Sequence, residues 1–236
     1  MRELTLTGAL LDPLLRDNPA GPRITYYDDA TGERVELSTA TLANWAAKTA
    51  NLLRDELGAG PGSRVAVLLP AHWQTAAVLL GIWWIGAEVV FDAADADVTL
   101  CTRERLDEAG MGEVAVLSLD AFGKGYDDLP VGVTDYATAV RVHGDQVVPE
   151  GNPGPALDGR SVAEVLAEAG GADLAAGDRV LSSLGWSTPA ELIANLVAVF
   201  AAGASLVQVA HPDAALRERR MSTEKVTRVL DLLSPP

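Results

Sequence analysis

Ser187 lies in the segment GWSTP at residues 185–189, where an apolar strand-like run gives way to an apolar helix-like run. A hydrolase nucleophile occupies such a strand-to-helix turn, and a histidine held by a carboxylate then removes its proton. That motif needs glycine where this chain has Pro189, and His211 and Asp213 follow in the order Ser-His-Asp instead of Ser-Asp-His. The residue types favour the alternative, in which a hydroxyl of this segment caps the helix and Pro189 begins it.

The other residues able to do chemistry are scattered along the chain. His72, His143 and His211 are far apart in sequence, and no pair of them has the spacing of metal ligands. The glycines around Lys124, at residues 123–125, lack the remaining glycine and the Ser or Thr of a Walker loop. Cys101 is the single cysteine, so no intramolecular disulfide or thiolate metal site is predicted, and we expect a buried structural thiol. These residues predict neither a metal centre nor a catalytic residue.

Composition and charge limit the kinds of partner. The 236 residues are 48% hydrophobic, enough for one large domain or two small ones with a real core. The net charge of −15 argues against a nucleic-acid backbone or an anionic membrane as partner. Residues 192–210 carry no charge, but a helix, a turn and a strand explain them better than a membrane span. No signal peptide is visible, and we expect a cytoplasmic protein.

A repeated unit supplies the framework that must position these residues. Residues 62–91 and 177–209 each read glycine, a small polar residue, Arg-Val, a short apolar strand, a turn with proline, a long apolar helix, Gly-Ala and a second apolar strand. Each unit predicts two parallel strands joined by a right-handed crossover. We therefore predict an α/β fold with two related βαβ-containing sheet subdomains and flanking helices, with room for a ligand cleft between them.

The segments around the repeats continue the α/β pattern. Outside the repeats we predict hairpin strands at 23–27 and 33–37, further strands at 98–101, 114–118 and 138–142, and helices at about 39–57, 103–109, 161–169 and 214–233. The helix of the first repeat spans about 72–85, and its Trp83 and Trp84 are expected in the core. We place one subdomain at 1–136, with the hairpin and the first repeat, and the other at 137–236.

Several short segments keep a characteristic order: Ile24-Thr25-Tyr26, Glu36-Leu37-Ser38, GAGPGSRVAVLLP at 58–70, Gly86-Ala87, Gly177-Asp178-Arg179-Val180, Gly203-Ala204 and Glu224-Lys225-Val226-Thr227. This order resembles the N-terminal region of the AMP-forming adenylate enzymes: acyl-CoA synthetases, luciferases and peptide-synthetase adenylation domains. The resemblance covers nearly the whole chain and implies two related sheet subdomains, with AMP or ATP, Mg²⁺ and an acyl group as ligands. In that family the turn at 185–189 borders the acyl pocket, which makes Trp186, Ser187 and Thr188 the expected ligand contacts.

The phosphate loop of that family is degraded in this chain. The family has a Ser/Thr/Gly-rich loop ending in Thr-Gly-x-Pro-Lys-Gly, whose N–H groups and lysine neutralise a polyphosphate. The corresponding residues here are Glu150, Gly151, Asn152, Pro153 and Gly154. Gly151 and Pro153 fit the pattern, Gly154 stands where the lysine would be, and Glu150 adds a negative charge. A carboxylate about 4 Å from a phosphate costs on the order of 1–4 kcal/mol.

The later motifs of the family would follow residue 236: an aromatic-Gly-x-Thr-Glu loop, a ribose-binding Asp and a mobile C-terminal domain with a catalytic Lys. The resemblance therefore describes a shortened, degenerate relative. We expect a non-catalytic protein that acts by binding or association, with a homodimer or another protein covering exposed sheet edges. The alternative is a residual ligase fragment that binds AMP or an acyl ligand and is completed by another chain.

Overall fold

The computed structural model describes residues 4–230, and two five-stranded sheets organise them. The strands are β1 Pro22–Asp28, β2 Glu33–Ser38, β3 Arg64–Leu68, β4 Glu88–Val90, β5 Val98–Cys101, β6 Glu113–Val116, β7 Val133–Asp135, β8 Arg179–Ser182, β9 Ser205–Ala210 and β10 Arg228–Leu230. The α-helices are α1 Leu6–Asp17, α2 Thr39–Asp55, α3 Trp73–Trp84, α4 Tyr136–Ala139, α5 Val162–Ala169, α6 Pro189–Leu192, α7 Ala198–Ala201 and α8 Ala214–Thr223.

Sheet 1 consists of β3 to β7 in the order β4-β3-β5-β6-β7, and all its strand pairs are parallel. Val65 of β3 lies in register with Val89 on one side and Val98 on the other. These valines are fully buried, as expected for a parallel sheet with both faces covered. The first repeat is therefore the unit β3-α3-β4, as the sequence predicts.

Sheet 2 has the order β10-β8-β9-β1-β2, so it joins the second repeat to the N-terminal hairpin. Ile24 of β1 pairs in parallel with Leu206 of β9, and Leu206 pairs on its other side with Val180 of β8. The hairpin therefore pairs with the strands of the second repeat, whereas the sequence predicts it in one subdomain with the first repeat. The boundary between residues 136 and 137 remains a prediction.

Helix α3 lies at the centre of the core, and all twelve of its residues are buried. The Trp83 indole is 1% exposed and donates to the carbonyl of Ala156 at 2.8 Å, and Trp84 is also buried. Gly81 lets α2 approach closely, because a Cβ there would lie 2.9 Å from the carbonyl oxygen of Ala46. The prediction that both tryptophans belong to the core is confirmed.

Four elements differ from the prediction. Residues 138–142 form part of α4 and a 3-10 helix, Val140–Val142, because the Asp135 carboxylate accepts from the Thr138 amide and starts a helical turn. Helix α1 and strand β7 were not predicted. The terminal helix ends at Thr223, and the chain then forms β10 beside β8; the predicted positions 231–233 lie outside the described residues.

Residues 192–210, the longest uncharged run, form helical segments and strand β9. A π-helical stretch, Ile193–Val197, joins α6 to α7 before the chain enters β9. Within residues 4–230, no helix is long and apolar enough to cross a membrane.

Candidate functional site

The loop at residues 150–154 packs against the amino ends of two strands of sheet 1. The Glu150 amide donates to the carbonyl of Trp84 at 3.1 Å, and the Gly154 amide donates to the carbonyl of Gly86 at 3.1 Å. Gly86 has φ +74°, and a Cβ there would lie 3.0 Å from Cγ of Glu150 and 3.1 Å from Cα of Pro153. Glycine at this position lets residues 150–154 pack against the end of α3. The Gly-Ala pair of the first repeat therefore also positions this loop.

The carboxylate of Glu150 accepts hydrogen bonds from two amide groups of its own loop. Oε1 of Glu150 accepts from the backbone N–H of Gly151 at 2.6 Å and from that of Asn152 at 3.1 Å. Such successive amides are the groups that hold a phosphate in a nucleotide-binding loop. Three backbone amides of this loop therefore donate to acceptors within the protein. The amides of Gly151 and Asn152 donate to the Glu150 carboxylate, and the amide of Gly154 donates to the carbonyl of Gly86.

The described residues do not fit a magnesium–nucleotide group. No lysine or arginine stands among residues 150–154, and Glu150 adds negative charge where phosphates would need cations. Among residues 4–230, no three side chains of His, Cys, Asp or Glu come together so that they could hold a metal ion. We therefore derive no reaction step through ATP or Mg²⁺.

The turn at residues 185–189 follows β8, at the carboxyl edge of sheet 2. The Asn195 amide donates to the carbonyl of Gly185 at 2.9 Å, and the Gln208 amide donates to the carbonyl of Leu184 at 3.0 Å. Trp186 is 2% exposed, so its ring belongs to the core. The turn is therefore held by side chains from the π-helical stretch and from β9.

Thr188 is the N-cap of α6. Its Oγ1 accepts from the amide of Glu191 at 3.2 Å, and Pro189 occupies the first turn. The Ser187 amide donates to the Glu191 carboxylate at 2.8 Å. The structure shows the alternative, in which a hydroxyl of this segment caps the helix. Capping by Thr188 and the position of Pro189 in the first turn explain this Thr-Pro pair, so no nucleophile is needed to account for it.

His211 contacts Asp28, and among residues 4–230 no hydrogen bond joins it to Ser187. Its Nδ1 lies 2.9 Å from Oδ1 of Asp28 at the end of β1. Burial is the largest single influence and raises the pKa of Asp28, but the interactions with His211 and the backbone hydrogen bonds from Ala30 and Thr31 together outweigh it, and the net shift is downward. Asp213 caps α8 by accepting from the amide of Ala215 at 2.8 Å. The serine–histidine–aspartate arrangement considered from the sequence is therefore not formed.

A buried polar cluster that the sequence did not predict joins the two sheets. His72, the N-cap of α3, is 2% exposed, and its Nδ1 accepts from the amide of Gln74 at 3.1 Å. Its ring packs edge-on against Tyr26 of β1 with centroids 4.3 Å apart, and its Nε2 lies 3.9 Å from Oε1 of Glu33. Burial lowers the pKa of His72 to about 3 and raises the pKa of Glu33. His72 is therefore neutral at pH 7, and its unprotonated Nδ1 accepts the hydrogen bond that caps α3.

The two predicted residue sets lie at different sheet edges. Residues 150–154 sit beside Gly62 and Gly86, which precede β3 and β4 in sheet 1. Residues 186–188 follow β8 in sheet 2. The hydrogen bonds described for each set are made with nearby residues, and the ligand contacts expected of Trp186, Ser187 and Thr188 remain a prediction.

Comparisons with known proteins identify what this arrangement is similar to. Residues 16–97 match the family model described as AMP-binding enzyme. A TIGR03089 family protein from Mycobacterium tuberculosis (strain ATCC 25618 / H37Rv) is 67% identical over 238 residues, covering 96% of this chain and 98% of that protein.

Solved structures share the fold. An acyl-CoA synthetase from Brucella canis superposes with a TM-score of 0.78 at 16% identity, over 96% of this chain and 47% of that one. Acetoacetyl-CoA synthetase from Streptomyces lividans gives a TM-score of 0.75 at 20% identity, over 96% and 42%. The chain thus spans about half the length of these structures. The predicted α/β fold with two sheets and the resemblance to the adenylate-forming enzymes are confirmed.

Proposed function

This chain belongs to the TIGR03089 family, and we propose that it is a non-catalytic, adenylate-enzyme-like protein that acts in the cytoplasm by binding or association. The single observation that carries the proposal is the contact of the Glu150 carboxylate with the amides of Gly151 and Asn152. An incoming phosphate would have to displace this carboxylate from the loop and would then meet its charge.

Adenylation needs the opposite electrostatics. A carboxylate substrate attacks the α-phosphate of ATP, and the negative charge that develops must be neutralised by cations or by free N–H donors. Residues 150–154 offer no cation, and the amides of Gly151, Asn152 and Gly154 already have acceptors. The N–H donors of this loop stabilise the fold instead.

Sheet edges support the association part of the proposal. Strands β7 and β10 are three-residue edge strands, and β2 is the edge strand at the other side of sheet 2. Edge strands present backbone groups that another chain can pair with. A homodimer, or a different protein, would cover such an edge, and the net charge of −15 favours a partner that is not nucleic acid.

The second candidate is a residual ligase fragment completed by another chain. It is favoured by the similar solved structures, which extend over about as many residues again as this chain spans. In that case AMP or an acyl ligand would contact Trp186, Ser187 and Thr188, and the other polypeptide would supply the missing part. Co-purification of such a polypeptide with the native protein from its host would support this candidate.

Calorimetric titration with Mg·ATP and with AMP distinguishes the candidates. For the unaltered protein we expect no saturable heat with either nucleotide. Glu150→Gln removes the charge in the loop, and Glu164→Gln, an equal change of charge at the exposed cap of α5, is the control. If removing a negative charge increases the affinity for Mg·ATP, we expect the increase in E150Q and not in E164Q. Saturable binding of Mg·ATP by the unaltered protein would contradict the proposal and favour the ligase fragment.

A further inference from the structure

A small apolar cavity lies between α2, α3 and α4, beside the loop that follows β6. Its volume is about 190 Å³. The rings of Trp45 and Trp73 form one corner, with centroids 5.9 Å apart and planes at 65°, and Tyr136 forms part of the floor. An apolar cavity of about 150 Å³ is large enough to hold benzene. The space therefore suits a ligand with a single ring.

Three alanines in the wall leave the cavity open. Ala77 of α3, Ala121 of the loop and Ala137 of α4 face the space between the aromatic rings. Tyr136 is fixed in place, because its hydroxyl lies 2.6 Å from Oγ1 of Thr49 on α2. The aromatic walls are thus held by the core and do not need a ligand to order them.

The mouth of the cavity is built by a braced loop. Asp120 Oδ1 accepts from the amides of Phe122 at 2.9 Å and Lys124 at 3.0 Å, and the Gln74 side chain donates to the carbonyl of Asp120 at 3.1 Å. This bracing presents the Phe122 side chain beside the opening, with 93% of the residue exposed. An apolar ring held this far into solvent gains contacts when a ligand enters the cavity.

The charge at the mouth of the cavity favours a ligand with a negative charge. Arg141 lines the opening, and its Nη2 donates to the carbonyl of Phe122 at 3.3 Å and also to the carbonyl of Gly123. The guanidinium is therefore held at the rim. None of the described residues that line the cavity is Asp or Glu, although the chain as a whole carries a net charge of −15. A cation would meet Arg141 here, whereas a carboxylate would pair with it.

We infer that this cavity binds a small aromatic carboxylate, with the ring between Trp45, Trp73 and Tyr136 and the carboxylate at Arg141. None of the lining residues belongs to the loop at 150–154 or to the turn at 185–189. The inference is therefore independent of the proposed function: this site can bind its ligand whether or not the protein binds a nucleotide.

Titration with three probes tests the inference in the intact protein, followed by calorimetry and by quenching of tryptophan fluorescence. Phenylacetate carries the ring and the charge, phenylacetamide carries the ring alone, and tetramethylammonium is the cation that an aromatic cage would prefer. We expect phenylacetate to bind at least tenfold more tightly than phenylacetamide, and tetramethylammonium not to bind. No binding of phenylacetate, equal binding of the acid and the amide, or preference for the cation would overturn the inference.

Two variants assign the binding to this cavity. In Arg141→Gln the tenfold preference for the acid should shrink to less than twofold, with the affinity for phenylacetamide unchanged. Arg54→Gln removes an arginine that pairs with Asp55 outside the cavity and should keep the preference. Ala137→Leu fills the cavity and should abolish binding of both ring compounds. If A137L does not fold, R141Q decides the matter, and an unchanged preference in R141Q would refute the inference.

Discussion

Arg179 Nη2 lies 2.5 Å from Glu224 Oε2, in an ion pair between the first residue of β8 and the C-cap residue that follows α8. The two side chains are 12% and 5% exposed. Arg34 also reaches Glu224, at 2.9 Å, and the Tyr27 hydroxyl donates to the same carboxylate. Burial raises the pKa of Glu224, but its hydrogen bonds with Tyr27, Arg179 and Arg34 outweigh burial, and the net shift is downward. Both residues belong to the segments that carry the family resemblance, and their role here is to hold sheet 2 together.

Replacing Glu224 with alanine should strongly destabilise the fold. The change leaves Arg179 in a largely buried position without its main acceptor, and breaking a buried ion pair from one side costs about 3 kcal/mol or more. Urea unfolding at pH 7 measures the loss. Glu108→Ala breaks the exposed pair with Arg105 and should leave the midpoint unchanged. Equal midpoints for the two variants would show that the Glu224 network contributes no more than a surface pair.

The buried His72 should make the fold less stable in mild acid. Its folded pKa of about 3 lies below the unfolded value of 6.5, so the unfolded chain takes up the proton first. The stability that His72 contributes is complete above pH 6.5 and is lost progressively as the pH falls towards 3. Between pH 7.5 and 5 the loss is about 2 kcal/mol.

His72→Asn isolates this effect, because asparagine also caps helices but does not titrate. Unfolding free energies of both proteins at pH 7.5 and pH 5 give the comparison. We expect the unaltered protein to lose about 2 kcal/mol more than H72N over this interval. The same loss in both proteins would mean that His72 is not the group responsible.

Replacing Gly86 with alanine should cost more than the same change at Gly58. Both glycines have left-handed φ values, +74° and +67°, and alanine in that region costs about 1–2 kcal/mol. A Cβ at Gly58 has nothing within 4 Å, whereas a Cβ at Gly86 meets Glu150 at 3.0 Å. Urea unfolding should therefore give a lower free energy of unfolding for G86A than for G58A. If the two variants are equally stable, the loop at 150–154 does not press on Gly86 as described.

The turn at 185–189 predicts a difference between two adjacent hydroxyls. Thr188→Ala removes the cap of α6 and should cost about 1 kcal/mol. Ser187→Ala should change stability by less than about 0.5 kcal/mol, because the Ser187 hydrogen bond to Glu191 comes from its backbone. Thermal unfolding of both variants measures the difference. Loss of stability in S187A alone would contradict the assignment of Thr188 as the cap.

The repeats could be predicted well because their apolar patterns are strong and local. Strand β5 lies at its predicted residues, and α3 differs from its prediction by one residue at each end. Helix α1 was missed, with Pro13 interrupting its pattern. Strand β10 was read as helix because three residues at a sheet edge carry little signal, and their pairing with β8 depends on residues far away in the chain.

The candidate site was predictable only in part. The sequence showed that Glu150 brings charge into a phosphate-type loop, but only the structure shows that its carboxylate turns back onto Gly151 and Asn152. The contact between His211 and Asp28 depends on the pairing of β1 with β9. No local pattern encodes such a long-range pairing, so this contact could not be found from spacing.

The exchange of labelled pyrophosphate into ATP measures whether this protein adenylates a carboxylate. The purified protein is incubated with Mg·ATP and a panel of aliphatic and aromatic carboxylates, beside an active acyl-CoA synthetase as positive control. Because the Glu150 carboxylate accepts hydrogen bonds from the loop amides, we predict no exchange above the protein-free blank with any acid. Exchange that depends on a particular carboxylate and rises in proportion to protein concentration would contradict it, and would show that this chain adenylates a substrate.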